Sequence, residues 1–456
     1  MMTLLAIDWA TVGIQAGQLI LCLSILVILH EMGHFLPAKW FKCRVEKFYL
    51  FFDPWFSLFK KKIGETVYGI GWLPLGGYVK ISGMIDESMD KEQMKQPPQP
   101  YEFRSKKPWQ RLIIMIGGVT VNLILGFLIF AMILWVWGEK YLPAKNVAYG
   151  IYVDSVGKKM GLQDGDKIVS INHDTVENFA RLSTDIILNE AKTIQVIRNG
   201  QNVDIAIPEG SIRQIIKRKG EPVAYPKYPA VVDSVDITKA KFLSGQLLKG
   251  DTIIAFNGKP VTSFFEFSDL KRNFKKQDVT ITVLRKTGDT AQVKARLNEN
   301  ASVGFAPVAM DQFLTFAVKD YSFFQSFPAG VKKGWETLVM NIQNFKLLFT
   351  SKEVKASESL GSFISIGKMF DADWDWQRFW QMTALLSIVL AFMNILPIPA
   401  LDGGHVLFTL YEIITGRKPG DKFMEYAQMV GMVLLLGIMG YALGLDFWRT
   451  FFKGGS

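Results

Sequence analysis

The run WATVGIQAGQLILCLSILVIL (9–29) passes without a charged residue into His30-Glu31-Met32-Gly33-His34, and the fold turns on how this stretch is read. About 20 apolar residues in helical form cross a bilayer core, so the 21 residues of the run read as a membrane span. A cleaved leader peptide would begin with basic residues and end in a small-x-small cleavage site. No basic residue precedes this run, and it leads straight into His30. Residues four apart on a helix share a face, so His30 and His34 point the same way with Glu31 beside them. An ionised acid costs about 2.5–3.5 kcal/mol at the centre of a membrane helix and less towards its boundary. A group kept there at such a cost points to a function.

Three further charge-free stretches follow, 27 residues at 112–138, 23 at 379–401 and 20 at 426–445. Each can span as a helix. With 49% hydrophobic and 21% charged residues the chain is neither disordered nor fibrous. Its two cysteines, Cys22 and Cys43, exclude a disulfide scaffold and read as a small apolar residue and a free thiol. The net charge of +10 has a topological origin. Lys39, Lys42, Arg44, Lys47, Lys60, Lys61, Lys62, Arg104, Lys106, Lys107 and Arg111 surround the first inter-span loop, and Arg417, Lys418 and Lys422 lie in the last. The positive-inside rule makes both loops cytoplasmic, leaving the termini and 139–377 on the far side. No compact basic stripe with interleaved aromatics is present, so no nucleic-acid partner is expected.

Within 139–377 the sequence repeats itself. Val153-Asp154-Ser155-Val156 recurs as Val232-Asp233-Ser234-Val235, and Gly165-Asp166-Lys167-Ile168 as Gly250-Asp251-Thr252-Ile253. Each copy has a strand, a Gly-Asp turn, an apolar strand and an Asn-containing turn, a pattern that resembles the PDZ fold, which binds extended peptide ends by strand addition. His173 falls in a surface turn of the first copy. Downstream, Leu338, Ile342, Phe345 and Phe349 recur at helical spacing among Lys332, Lys333 and Lys346. Such a helix suits either the membrane interface or the surface of the repeat pair.

The chemistry centres on His30-Glu31-x-x-His34. H-E-x-x-H on a helix is a metalloprotease pattern, in which two imidazoles hold Zn²⁺ and the glutamate takes a proton from water. A catalytic zinc has three protein ligands and keeps one position open. The third ligand is expected at the end of the third span, where Pro397 and Pro399 break the helix. Broken backbone at membrane depth needs protein or a wet cavity around it. Asp402 and His405, just past the break, are the two candidates.

These motifs resemble the bacterial site-2 protease family, intramembrane zinc metalloproteases, of the RseP type with two PDZ domains. The resemblance rests on His30-Glu31-x-x-His34, on Asn394-x-x-Pro397-x-Pro399-x-Leu401-Asp402-Gly403, and on Pro74-Leu75-Gly76-Gly77-Tyr78-Val79-Lys80. It implies His30, His34 and Asp402 as zinc ligands and Glu31 as general base. It also implies a membrane-re-entrant β-hairpin at 69–80, with Gly69, Gly71, Leu75, Gly76 and Gly77 beside the substrate, and Asn394, Pro397 and Pro399 along its path. The expected fold is an α-helical polytopic membrane protein with four transmembrane helices, an inserted pair of PDZ domains of α+β type and a membrane-associated hairpin. Its parts are a membrane segment at 1–144, PDZ domains at 145–226 and 227–310, an amphipathic connector at 311–377, and a second membrane segment at 378–456. The implied activity is a zinc metalloendopeptidase of the bacterial inner membrane, active near its cytoplasmic side with the PDZ domains outside. It would cleave single-span substrates such as an anti-sigma factor or signal-peptide remnants after an upstream site-1 protease has acted. A membrane adaptor with a structural metal site is the alternative, and would need four protein ligands. A transporter would show its repeat in the membrane helices, whereas here the repeat lies outside them.

Overall fold

The structure, a computed structural model, describes residues 9–74, 76–84, 96–217, 222–236, 240–350 and 363–451. The chain forms two compact units, one from Met1–Gly138 with Asp320–Arg449 and the other from Glu139–Lys319.

The long helices of the first unit, among the described residues, are α1 (Trp9–Trp40), α2 (Pro108–Trp137), α3 (Phe323–Thr350), α4 (Trp376–Ile395), α5 (Asp402–Thr415) and α6 (Asp421–Phe451). Peptide groups in hydrocarbon must satisfy one another, and a helix does this within one segment. α1, α2, α4 and α6 are long and apolar enough to cross a membrane, and they coincide with the four charge-free runs. α2 is central, with α1, α3, α4 and α5 packed against it. Its crossing with α1 is backbone to backbone: a Cβ on Gly33 would lie 2.5 Å from the Gly117 carbonyl oxygen. Small residues permit such approach, and this one sets the histidine pair against Gly118 and Asn122. α4 lies along a neighbouring face, where the Ser387 hydroxyl donates to the Asn122 carbonyl at 2.7 Å.

Two expectations change in this unit. The connector is not a separate piece, because α3 runs along α2, with Gly330 against the Ala131 backbone and Gly334 against the Phe127 ring. Its first residues, 311–319, belong to the other unit, where Ala317–Lys319 pairs with Glu139–Tyr141. The third span ends at Ile395 rather than at 401. Pro397 and Pro399 supply no N–H, and Ala400 turns at φ 79°. The chain then re-enters a 14-residue helix, α5, which the sequence reading did not anticipate.

Between α1 and α2 lie β1 (Val45–Leu50), β2 (Phe52–Ile63), β3 (Thr66–Leu73) and β4 (Tyr78–Ile81), in the order β2-β3-β1-β4. The hairpin expected at 69–80 is corrected by this order. β3 and β4 do not pair, because β1 lies between them, parallel to β3 and antiparallel to β4. The local hairpin is β2–β3, closed at Gly64, whose φ of 61° favours glycine. Pro74 has no donor and Gly76 sits at φ 148°, so this stretch links strands and does not close a tight turn. Trp55, Phe56, Leu58 and Phe59 stand exposed on β2, an apolar edge suited to lipid.

The second unit holds the repeat. In the first copy β5 (Ile151–Val153) pairs with β10 (Ala224–Pro226), and a sheet runs β9 (Gln201–Ala206), β8 (Thr193–Arg198), β6 (Lys167–Ile171), β7 (Asp174–Thr175). In the second, β11 (Val232–Val235) pairs with β17 (Phe305–Pro307). Its sheet runs β12 (Lys241–Ser244), β16 (Thr290–Arg296), β15 (Asp278–Leu284), β13 (Thr252–Phe256), β14 (Lys259–Pro260). The topologies match except for β12, which occupies the longer segment of the second copy. Each Gly-Asp turn has the same anchor. Asp166 is buried and accepts from Arg198 at 2.8 Å, and Asp251 is buried and accepts from Arg285. The two cores are separate, around Ile168 and Ile194 and around Ile253 and Val293. The first also takes in Leu142, Ala144 and Leu314, beyond its expected limits of 145–226.

Candidate metal centre

α1 presents His30 and His34 on one face, with their Nε2 atoms 3.3 Å apart. The α4–α5 break carries Asp402 to the same point, its Oδ2 3.2 Å from His30 Nε2 and 3.3 Å from His34 Nε2. Tight packing aims this carboxylate. A Cβ on Gly403 would strike the Leu396 carbonyl oxygen at 2.0 Å, and one on Gly404 the Ile398 oxygen at 2.8 Å. His405, the rival third ligand, instead faces Gln428 of α6, at 2.6 Å.

The donor set suits zinc. A tetrahedral ion with bonds of about 2.0–2.1 Å separates its ligands by about 3.3 Å, which is the spacing of all three pairs. Among the described residues Asp402 Oδ2, although buried, has no hydrogen-bond partner in good geometry. The imidazoles are set to leave Nε2 available. His34 Nδ1 lies 2.8 Å from the Ile114 carbonyl oxygen, which can only accept, so Nδ1 carries the proton. His30 Nδ1 faces the Asn122 amide at 3.2 Å, while Asn122 Oδ1 is buried and unpartnered among the described residues. Turning that amide over satisfies both groups, with Nδ1–H donating to Oδ1. Glu31 is 9% exposed, and the Val79 backbone N–H at the start of β4 donates to its carboxylate.

The profile of peptidase family M50 matches residues 18–438. The chain belongs to peptidase family M50. It is 27% identical to the regulator of sigma-E protease RseP of Escherichia coli over 455 residues, 95% of this chain and 98% of that one. RseP of Salmonella typhimurium is 26% identical over 459 residues, 94% and 97% of the two chains. A Treponema pallidum protein with a zinc-metalloprotease name is 27% identical over 439 residues, 91% and 95%. As an M50 member with four candidate spans, this chain is an intramembrane zinc metalloprotease, integral to the bacterial inner membrane, and zinc is its cofactor.

The residues expected beside substrate are distributed unevenly around this M50 site. Asn394 Nδ2 is 3.2 Å from His30 Nε2, so it stands at the nitrogen that faces His34 and Asp402. Gly77 touches α1 at Val27 and Glu31. Gly69 and Gly71 are packed inside the sheet, where a Cβ would meet the Tyr49 ring at 2.3 Å or the Phe52 carbonyl oxygen at 2.1 Å. Gly76 stands over the Phe52 ring. Pro397 and Pro399 belong to the loop that turns into α5, and Leu75 lies outside the described residues. His173 is exposed at φ 74° in its turn. Sequence reasoning missed Asn122 and Gly118, and quoted Val79 only as part of the 74–80 motif. Asn122 left a signal, as the one amide side chain in the charge-free run 112–138.

Proposed function

We propose that His30, His34 and Asp402 hold the catalytic zinc, and that Glu31 is the general base for hydrolysing a peptide bond within a transmembrane segment of a single-span protein. What carries this reading is the convergence of one carboxylate oxygen and two imidazole nitrogens, 3.2–3.3 Å apart, beside a buried glutamate among apolar helices. Three protein ligands leave a position open, unlike the closed four-ligand set of a structural site. Bound there, zinc supplies Lewis-acid polarisation of the scissile carbonyl and makes water more acidic. The Glu31 carboxylate takes the proton of the attacking water, oriented for this by the Val79 N–H. Ile114 and Asn122 hold the two Nδ1 protons, which keeps both Nε2 lone pairs turned towards the site.

A substrate helix hides its carbonyls in its own hydrogen bonds, and each unsatisfied group in hydrocarbon costs several kcal/mol. β4 is an edge strand whose start lies beside Glu31, so an unwound substrate segment can add to it as a further strand. Asn394 adds an amide at the same place.

The matching topology of the two β units and their Gly-Asp turns support reading them as tandem PDZ domains. The basic loops support a cytoplasmic active site with these domains outside. There they act as a size filter, admitting substrates already shortened by an upstream site-1 protease. The relatives named for sigma-E regulation suggest an anti-sigma factor as substrate, with signal-peptide remnants as a second class. Purified protein, with and without chelator, tested on a panel of single-span peptides checks the core of this proposal. Chelator-sensitive cleavage within the spans is expected, and chelator-insensitive cleavage would overturn it. Deletion of 149–297 should allow cleavage of untrimmed substrate, and persisting selectivity would remove the filter.

A further inference from the structure

α2 touches both histidines assigned to the zinc. Arg111, Met115, Gly118 and Asn122 recur at helical spacing. Asn122 faces His30 Nδ1, Gly118 abuts both imidazoles, and the Ile114 carbonyl accepts from His34 Nδ1. At the head of this stripe, Arg111 Nη2 donates to Glu412 Oε1 of α5 at 2.6 Å. The side chains are 8% and 16% exposed, so the pair is largely withdrawn from water.

α5 begins with Asp402, and Glu412 is ten residues on, about 15 Å along the axis. Val406 of α5 shares a buried apolar cluster with Ile114 and Met115 of α2. Apolar contact of this kind is non-directional and lets a helix slide. A short, buried charge-assisted bond does not. A zinc ligand has to sit within about 0.2 Å of its bonding distance, so the axial position of α5 matters at its first residue. We infer that the Arg111–Glu412 ion pair is a positioning device for the metal centre, registering α5 on α2 so that Asp402 meets the two histidines already fixed by α2. The inference rests on Asp402 being the third ligand.

The test uses full-length protein in lipid nanodiscs, stripped of metal and titrated with Zn²⁺ against a competing chelator and with Co²⁺ by visible absorption. Glu412→Gln and Arg111→Gln are expected to weaken zinc about 10–100-fold, the range for groups that orient metal ligands, and to alter the Co²⁺ bands. Glu412→Asp, one methylene shorter, should fold and show a smaller shift of the same kind. Exchanging the partners, Arg111→Glu with Glu412→Arg, should restore most of the affinity. If the Glu412 variants lower only the thermal midpoint, with zinc affinity within about twofold of the parent and an unchanged Co²⁺ spectrum, the pair is merely structural and the inference falls. Should Glu412→Gln fail to fold, Glu412→Asp decides alone. Asp402→Ala in the same titration separates the two readings: retained zinc there refutes the ligand assignment and the inference with it, whereas lost zinc there beside unaffected Glu412 variants refutes the role of the pair alone.

Discussion

Gly118→Ala tests the site with a single carbon atom. The new Cβ would stand 2.4 Å from His34 Nε2, 2.6 Å from His30 Cε1 and 2.9 Å from His30 Nδ1. Ordinary contact begins near 3.4 Å, so at least one ring has to move by about 1 Å. Zinc ligands tolerate about 0.2 Å, so one imidazole leaves the coordination sphere. The fold itself changes little. Alanine gains about 0.5–1 kcal/mol over glycine within a helix, set against about 1–3 kcal/mol for overpacking. Zinc affinity, in contrast, should fall by more than about 100-fold, beyond the effect of losing an orienting group. Competition titration of the metal-stripped protein measures the affinity, and thermal unfolding of the metal-free form measures the fold. Gly126→Ala is the control, since its Cβ meets the Ile388 Cδ1 at 2.6 Å, eight residues further along α2. It should share the packing cost and keep zinc. A Gly118→Ala protein that binds zinc as the parent does would refute the placement of both rings.

Four other outcomes follow from the same geometry. Glu31→Gln should retain zinc and lose cleavage, and residual turnover in a single-span peptide assay would remove its role as base. Asp402→Ala should lose both zinc and activity, whereas normal metal content by elemental analysis would return His405 to consideration. Asn122→Leu should weaken zinc about 10–100-fold by releasing the His30 ring, read by the same competition titration. Asp166→Ala removes the buried acceptor of the partly exposed Arg198 and of the Gln163 N–H and should cost the repeat unit about 1–3 kcal/mol. Hydrogen exchange would show faster amides within 139–319 and unchanged ones in α2.

The legible parts of this protein are those fixed by short-range rules. Charge-free length marked the four spans, and i,i+4 spacing put His30 and His34 on one face. Pro397 and Pro399 placed the break that delivers Asp402. Recurring Gly-Asp turns exposed the duplication, since each needs its buried aspartate for the same arginine anchor. The four-stranded sheet was not legible, because β1 pairs with β3 in parallel across the intervening β2, and such pairing leaves no local turn signature. α5 was hidden by its two glycines, which weaken a helix in sequence terms yet admit the Leu396 and Ile398 carbonyls in the fold. Asn122 and Arg111 acquire their meaning only once α2 crosses α1 at Gly33 and Gly117, a contact between residues far apart in the chain.

X-ray absorption at the zinc edge of the purified protein asks most directly whether one oxygen and two imidazoles from separate helices share an ion. The parent should show two imidazole nitrogens and one carboxylate oxygen at about 2.0–2.2 Å, with a non-protein light atom as fourth neighbour. Asp402→Ala should lose the ion or the oxygen contribution. An unchanged shell in that variant, or a third imidazole in the parent, would contradict the account.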